Sequence, residues 1–148
     1  MKKIFFLTLF LGIAAFFSPS LKAQTEAQKI ELCTKAAGDA NLLNSYTIQL
    51  AAANDGERAP VFRHAVAFQK GNRFRLTVCT DEESAGEAII QLYDEGKMIA
   101  SNHNPETGKI YQSFDFDCSK TARYTFIISI KDGKEGSAVA VVSHVKTL

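Results

Sequence analysis

Several absences narrow the field before any residue is singled out. After Phe17 no apolar stretch matches the run from Ile4 to Phe17, so nothing later approaches the roughly 20 apolar residues of a membrane-spanning helix. No strongly basic patch exists. Past the N-terminal lysines, clusters such as Arg73 with Arg75 and Lys131 with Lys134 read as solvated strand and turn positions, which argues against nucleic acid or an anionic membrane as partner. A glycine-rich phosphate loop and a strand-helix-strand alternation are both missing, which excludes the nucleotide-binding folds. Hydrolytic and zinc signatures are missing too: there is no Gly-x-Ser-x-Gly elbow, no His-Glu-x-x-His helix and no Cys-x-x-Cys pair.

What is present begins with a leader. Lys2 and Lys3, the apolar run to Phe17, the break at Ser18-Pro19-Ser20 and the small Ala23 predict a secretory signal peptide over residues 1–23. Cleavage after Ser20 is the alternative, because Leu21 is larger than the usual residue three positions before a cut. The mature chain expected from Gln24 holds 125 of the 148 residues, enough for one domain with one core. Losing Lys2, Lys3 and Lys22 leaves 14 of the 17 basic residues against 16 acidic ones. The expected compartment is the periplasm or the cell exterior, with no membrane span after cleavage.

Apolar residues then alternate in short runs: Phe62, Val66 and Phe68; Phe74, Leu76 and Val78; Ile90 and Leu92; Phe114 and Phe116; Tyr124, Phe126, Ile128 and Ile130; Val139, Val141 and Val145. A period of two means half-buried strands. Tyr46, Ile48 and Leu50 add one more. Turn-formers separate the runs, and many short strands between such turns predict an all-β protein, a jelly-roll-like antiparallel β-sandwich. The stretch FDFDCSKTARYTFIISI, residues 114–130, reads as a hairpin with Cys118 at its corner, its phenylalanines inward and Asp115 and Asp117 on a solvated face.

Residues 25–37 are helix formers that begin at Thr25 and end before Gly38-Asp39, which predicts a short capped helix. Its face of Ile30, Cys33 and Ala37 must cover something, most simply an open side of the sandwich. The expected organisation is therefore a signal peptide over 1–23, an N-terminal helical segment over 24–44 and a β-sandwich over 45–148, with 51–60 as a loop.

Three cysteines in an exported chain make one disulfide and one leftover thiol. If residues 61–79 and 110–131 each run up and then down in the same sense, Cys79 and Cys118 fall at opposite ends of the sandwich, beyond bonding reach. Cys33, on the inward helix face, is then the partner of Cys79, which points away from Phe74, Leu76 and Val78. Cys118 is left as a small buried residue.

The order VAFQKGNRFRLTV, IIQLYDEGKMIASNHN, FDFDCSKTARYTFIIS resembles the bacterial pre-peptidase C-terminal domains, over roughly residues 61–145. Lys70-Gly71 resembles that family's glycine corner, Leu92-Tyr93-Asp94 its Leu-x-Asp turn, and Thr121-Ala122-Arg123-Tyr124 its Thr-Gly-x-Tyr corner with alanine for glycine. The chain also resembles short stand-alone secreted proteins of Bacteroidetes-type bacteria. The resemblance implies a compact jelly-roll-like sandwich, a polar loop able to hold calcium, and a role as an accessory to exported proteins.

Chemistry is thinly represented. His64, His103 and His144 are the only histidines, none in a catalytic context, and His64 shares parity with Phe62 and Val66. The polar stretch from Asp94 to Gly108 is the candidate site, with Asp94, Asn102 and Asn104 as oxygen donors. A single carboxylate among the three implies weak calcium at most, and no other metal or cofactor. The expected function is a non-catalytic module that binds a protein, glycan or envelope component. The alternatives are a small enzyme built from dispersed residues such as His64, His103 and Asp94, or a folding and assembly accessory.

Overall fold

A computed structural model of the protein describes residues 25–148. The predicted leader lies outside the described residues. Helix α1 (Glu26–Ala36) starts from a capping box: the Thr25 hydroxyl accepts from the backbone of Gln28, and the Gln28 side chain accepts from the backbone of Thr25. It ends as the turn chemistry requires, with Gly38 in the left-handed region at φ 74° and its N–H donating to the carbonyl of Lys35.

Eight strands follow: β1 (Asn41–Leu50), β2 (Phe62–Phe68), β3 (Asn72–Thr80), β4 (Ala88–Asp94), β5 (Lys97–Ser101), β6 (Ser113–Asp117), β7 (Ala122–Ile130) and β8 (Gly136–Thr147). They form two four-stranded sheets, which we call A, in the order β1-β8-β3-β6, and B, in the order β2-β7-β4-β5. Every pairing is antiparallel, and the pairs nest: β1 with β8, β2 with β7, β3 with β6, β4 with β5. That is the jelly roll, a single long hairpin rolled so that its strands fall alternately into two packed sheets.

The core between the sheets is the alternating set the sequence announces, with Leu76, Ile90, Leu92, Phe126 and Ile128 fully buried. Phe68 stacks on Phe74 at a ring separation of 4.3 Å. Tyr124 packs edge-on against Phe116 and donates its hydroxyl to the carbonyl of Lys120 at 2.7 Å. Burial, together with the hydrogen bond to Cys118, pushes the Tyr124 phenol up to about 12. Each buried phenylalanine contributes roughly 1.5 to 3 kcal/mol.

Several expectations need correction. Residues 114–130 are not a hairpin: β6 pairs with β3 in sheet A, and β7 pairs with β2 and β4 in sheet B. The corner at Cys118 is a crossing between sheets, and a break of small polar residues serves either geometry. The stretch from Asp94 to Gly108 is not one loop, because β5 occupies Lys97–Ser101 and pairs back on β4. Strand β1 begins at Asn41, inside the segment read as helical. In β8, Ala138, Ala140 and Val142 face the core while Val139 and Val141 face the helix. A strand covered on both sides loses its period of two.

The helix covers the outer face of sheet A. Cys33, Ala37 and Ile30 pack with Val139, Val141 and Cys79, and Cys33 is disulfide-bonded to Cys79 with the Cα atoms 5.7 Å apart. The bond closes a loop of sequence separation 46, for which chain entropy gives about 4 kcal/mol. Cys118, near Asn72 at the other end of β3, is free and buried.

Candidate interaction surface

The donors chosen from the sequence do not converge. Asn102 is 1 % exposed, and its amide is fully used: Oδ1 accepts from the N–H of Ile90 at 2.8 Å, while Nδ2 donates to the carbonyls of Ala88 (3.3 Å) and Tyr111 (2.9 Å). It holds the end of sheet B together and is buried away from any ligand. Asn104 closes a local turn by accepting from the N–H of Glu106 at 3.0 Å. Asp94 pairs with Lys120 at 2.9 Å. It lies at the far end of β4 from Ile90, about 13 Å away at a strand rise of ~3.3 Å per residue. Among the described residues no three His, Cys, Asp or Glu side chains are grouped as a metal site would need.

The histidines are equally separate. His64 sits in the open seam between β1 and β2, against the ring of Tyr46 at 4.6 Å. His103 follows β5 at the opposite edge of sheet B, where it bridges to Ile110. His144 places Nε2 3.0 Å from Asn72 Oδ1. The Asn72 amide nitrogen already donates to the carbonyls of Gln69 and Lys70, so the oxygen is the atom it turns toward His144. An enzyme site built from His64, His103 and Asp94 is not assembled. A cavity of about 390 Å³ opens beside His144, lined by Leu43, Ala67, Gln69, Asn72 and Phe74, with no nucleophile or carboxylate in its wall.

Attention therefore moves to the outer faces. On sheet A, the side chains of β3 that point away from the core are Arg73, Arg75, Thr77 and Cys79. Register places Asp117 opposite Arg73 and Asp115 opposite Arg75. Both pairs are two-pronged: Arg73 donates to Asp117 at 2.5 and 2.8 Å, and Arg75 to Asp115 at 2.6 and 3.0 Å. These hydrogen bonds hold both carboxyls below the usual range. Arg75 also donates to the carbonyl of Ala37 at the end of α1. Nearer the helix start, Lys29 pairs with Asp81 at 2.8 Å. Burial alone would raise the Asp81 carboxyl, but hydrogen bonds from Lys29 and Ser137 outweigh it and the group titrates low. This face is roofed by the helix and its charges are matched.

On sheet B the outward positions alternate with the core set and are Arg63, Ala65 and Ala67 on β2, Arg123, Thr125, Ile127 and Ser129 on β7, and Ile89, Gln91 and Tyr93 on β4. Register adds Met98 beside Tyr93 and Ser101 beside Gln91. Ile89 is buried at one end, whereas Arg63, Ala65, Ala67, Arg123 and Met98 are exposed. No acid and no lysine stands among these positions. Across from Arg63 is Ile127, and across from Arg123 is Ala67; among the described residues neither arginine has an ion pair. The sequence held the signal in the odd positions 63, 65, 67, 123, 125 and 127, but alternation draws the eye to the buried half of each strand.

The chain matches no family model and no curated protein sequence. Solved structures to which it is similar include that of Aeromonas hydrophila PliG, a periplasmic lysozyme inhibitor of g-type lysozyme, at 9% identity with a TM-score of 0.48, over 74% of this chain and 90% of that one.

Proposed function

We propose that the protein is an exported, non-catalytic module that binds a partner protein through the outer face of sheet B. The observation that carries this reading is the composition of that face: Arg63, Arg123, Tyr93, Met98 and Ile127 among otherwise small outward residues, with no helix over it among the described residues. Arginine, tyrosine and methionine are enriched at the centres of protein interfaces, where lysine and acids are depleted. A glycan site would call for a row of exposed aromatic platforms, and Tyr93 stands alone here. The Cys33–Cys79 disulfide supports export to an oxidising compartment, as does the leader. No helix among the described residues is long and apolar enough to cross a membrane.

A photo-reactive residue at position 125, in the middle of the face, tests the reading in the native envelope. It is expected to form a discrete protein adduct that the same group at position 146, on sheet A, does not. Equal labelling from both positions, or none from 125, would refute the surface. Histidine-dependent turnover of a substrate by the purified protein would refute the non-catalytic class.

A further inference from the structure

Resting on the reading of that face as the binding surface, we infer that its partner is acidic, and that Arg63 and Arg123 each take one carboxylate of a protein docked flat against sheet B. Arginine behaves differently on the two faces. Arg73 and Arg75 each find an aspartate across the strand pair and donate two parallel hydrogen bonds to it. Arg63 and Arg123 face Ile127 and Ala67, which can accept nothing. A guanidinium presents its donors in a fixed fork that fits a carboxylate edge-on. On sheet B neither fork has an ion pair among the described residues, both are rooted in strands, and no acid stands at the paired strand positions across from them.

Spacing narrows the partner further. Arg63 lies across from Ile127, and Arg123 is four residues further along the same strand. At ~3.3 Å per residue and ~4.8 Å between strands, the two Cα atoms are about 14 Å apart. Two carboxylates four residues apart on one extended strand match that spacing, and so do two on a rigid protein surface. Ala65 and Thr125 lie between the arginines, so a partner backbone can approach closely, and Tyr93 with Met98 gives its apolar side chains somewhere to rest.

The experiment uses the mature protein and an immobilised extended peptide with two glutamates four residues apart among leucine and serine, beside its glutamine counterpart. Wild-type protein is expected to bind the glutamate peptide and not the glutamine one, and more weakly as salt rises from about 50 to 200 mM. Arg63→Gln with Arg123→Gln should weaken binding about tenfold, equivalent to about 1.4 kcal/mol, with the melting temperature unchanged. Lys146→Gln should bind as wild type does, and Arg123→Lys should recover part of the loss. Equal binding by the double variant, or no binding by wild type, overturns the inference. Preference for dextran sulfate over the peptide, lost in the double variant, also overturns it and makes the partner an anionic glycan. The photo-reactive residue at position 125 separates the two levels of the argument. An adduct that survives both arginine substitutions sinks the charge inference and leaves the surface standing, whereas no adduct in any variant sinks the surface itself.

Discussion

Sheet A and sheet B are built from the same alternation of apolar and polar residues, yet they meet the surroundings in opposite ways. Sheet A carries its arginines against aspartates and lies under α1, which is fastened by Cys33–Cys79, Lys29–Asp81 and the Arg75 bond to Ala37. Among the described residues, sheet B carries two arginines without an ion pair and has no helix packed over it. The difference teaches that an outward strand position has no fixed meaning. A charge opposite a complementary residue closes the surface, and the same charge opposite alanine or isoleucine leaves it open to a partner.

The largest disturbance of this contrast should come from unfastening the cover. Cys33→Ser with Cys79→Ser is expected to cost about 2 to 4 kcal/mol in urea unfolding and to expose Val139 and Val141 to a hydrophobic dye. Next in size, Asn102→Ala should cost about 1 to 3 kcal/mol by leaving the Ile90 N–H unsatisfied, while adduct formation at position 125 persists. That pair of results would separate the frame of sheet B from its face.

Smaller effects belong to the matched charges of sheet A. Arg75→Gln should cost about 1 kcal/mol or less, since the pair with Asp115 is about a third exposed. Acid acts on the same pairs together. Asp81, Asp115 and Asp117 titrate lower in the folded protein than in the unfolded chain, so they bind protons more readily once unfolded. Their contribution is complete above about pH 4 and disappears as pH falls through the folded values. A fall in the melting temperature on acidification that Arg75→Gln makes shallower is the expected outcome. The smallest effect sharpens the comparison most: Arg63→Gln with Arg123→Gln should leave stability within about 0.5 kcal/mol of wild type. A loss of more than about 1 kcal/mol would mean that these arginines, too, belong to the frame.

The sequence made the strands and the helix readable because each rests on local spacing, whereas the disulfide followed from the directions of the strands that end at Cys79 and Cys118. Phe74, Leu76 and Val78 declare one face within five residues, and Thr25 at one end with Gly38-Asp39 at the other bounds a helix within fifteen. What it concealed depends on distant partners. Asp115 and Asp117 look solvated until Arg75 and Arg73, some 40 residues earlier, are brought alongside. Asn102 resembles a turn residue because the groups it joins, Ala88, Ile90 and Tyr111, come together only through the return of β5. The corner at Cys118 is ambiguous for the same reason, since a few small polar residues can turn a strand back on its neighbour or carry it across to the facing sheet.

The nesting of the strand pairs also sets an order in time. Of the strands that pair with each other, only β4 and β5 are joined directly by a tight turn. Every other pair closes around the one inside it, until Asn41 meets His144 across nearly the whole domain. Chain closure over such distances is slow, and folds dominated by distant pairings take milliseconds to seconds where helical bundles take microseconds. Sheet A cannot be completed before β8 is available, because β8 lies between β1 and β3. Sheet B needs only β2, β4, β5 and β7, so it can close while β8 is still unavailable, and sheet A, with the helix it carries, is the later of the two to be finished.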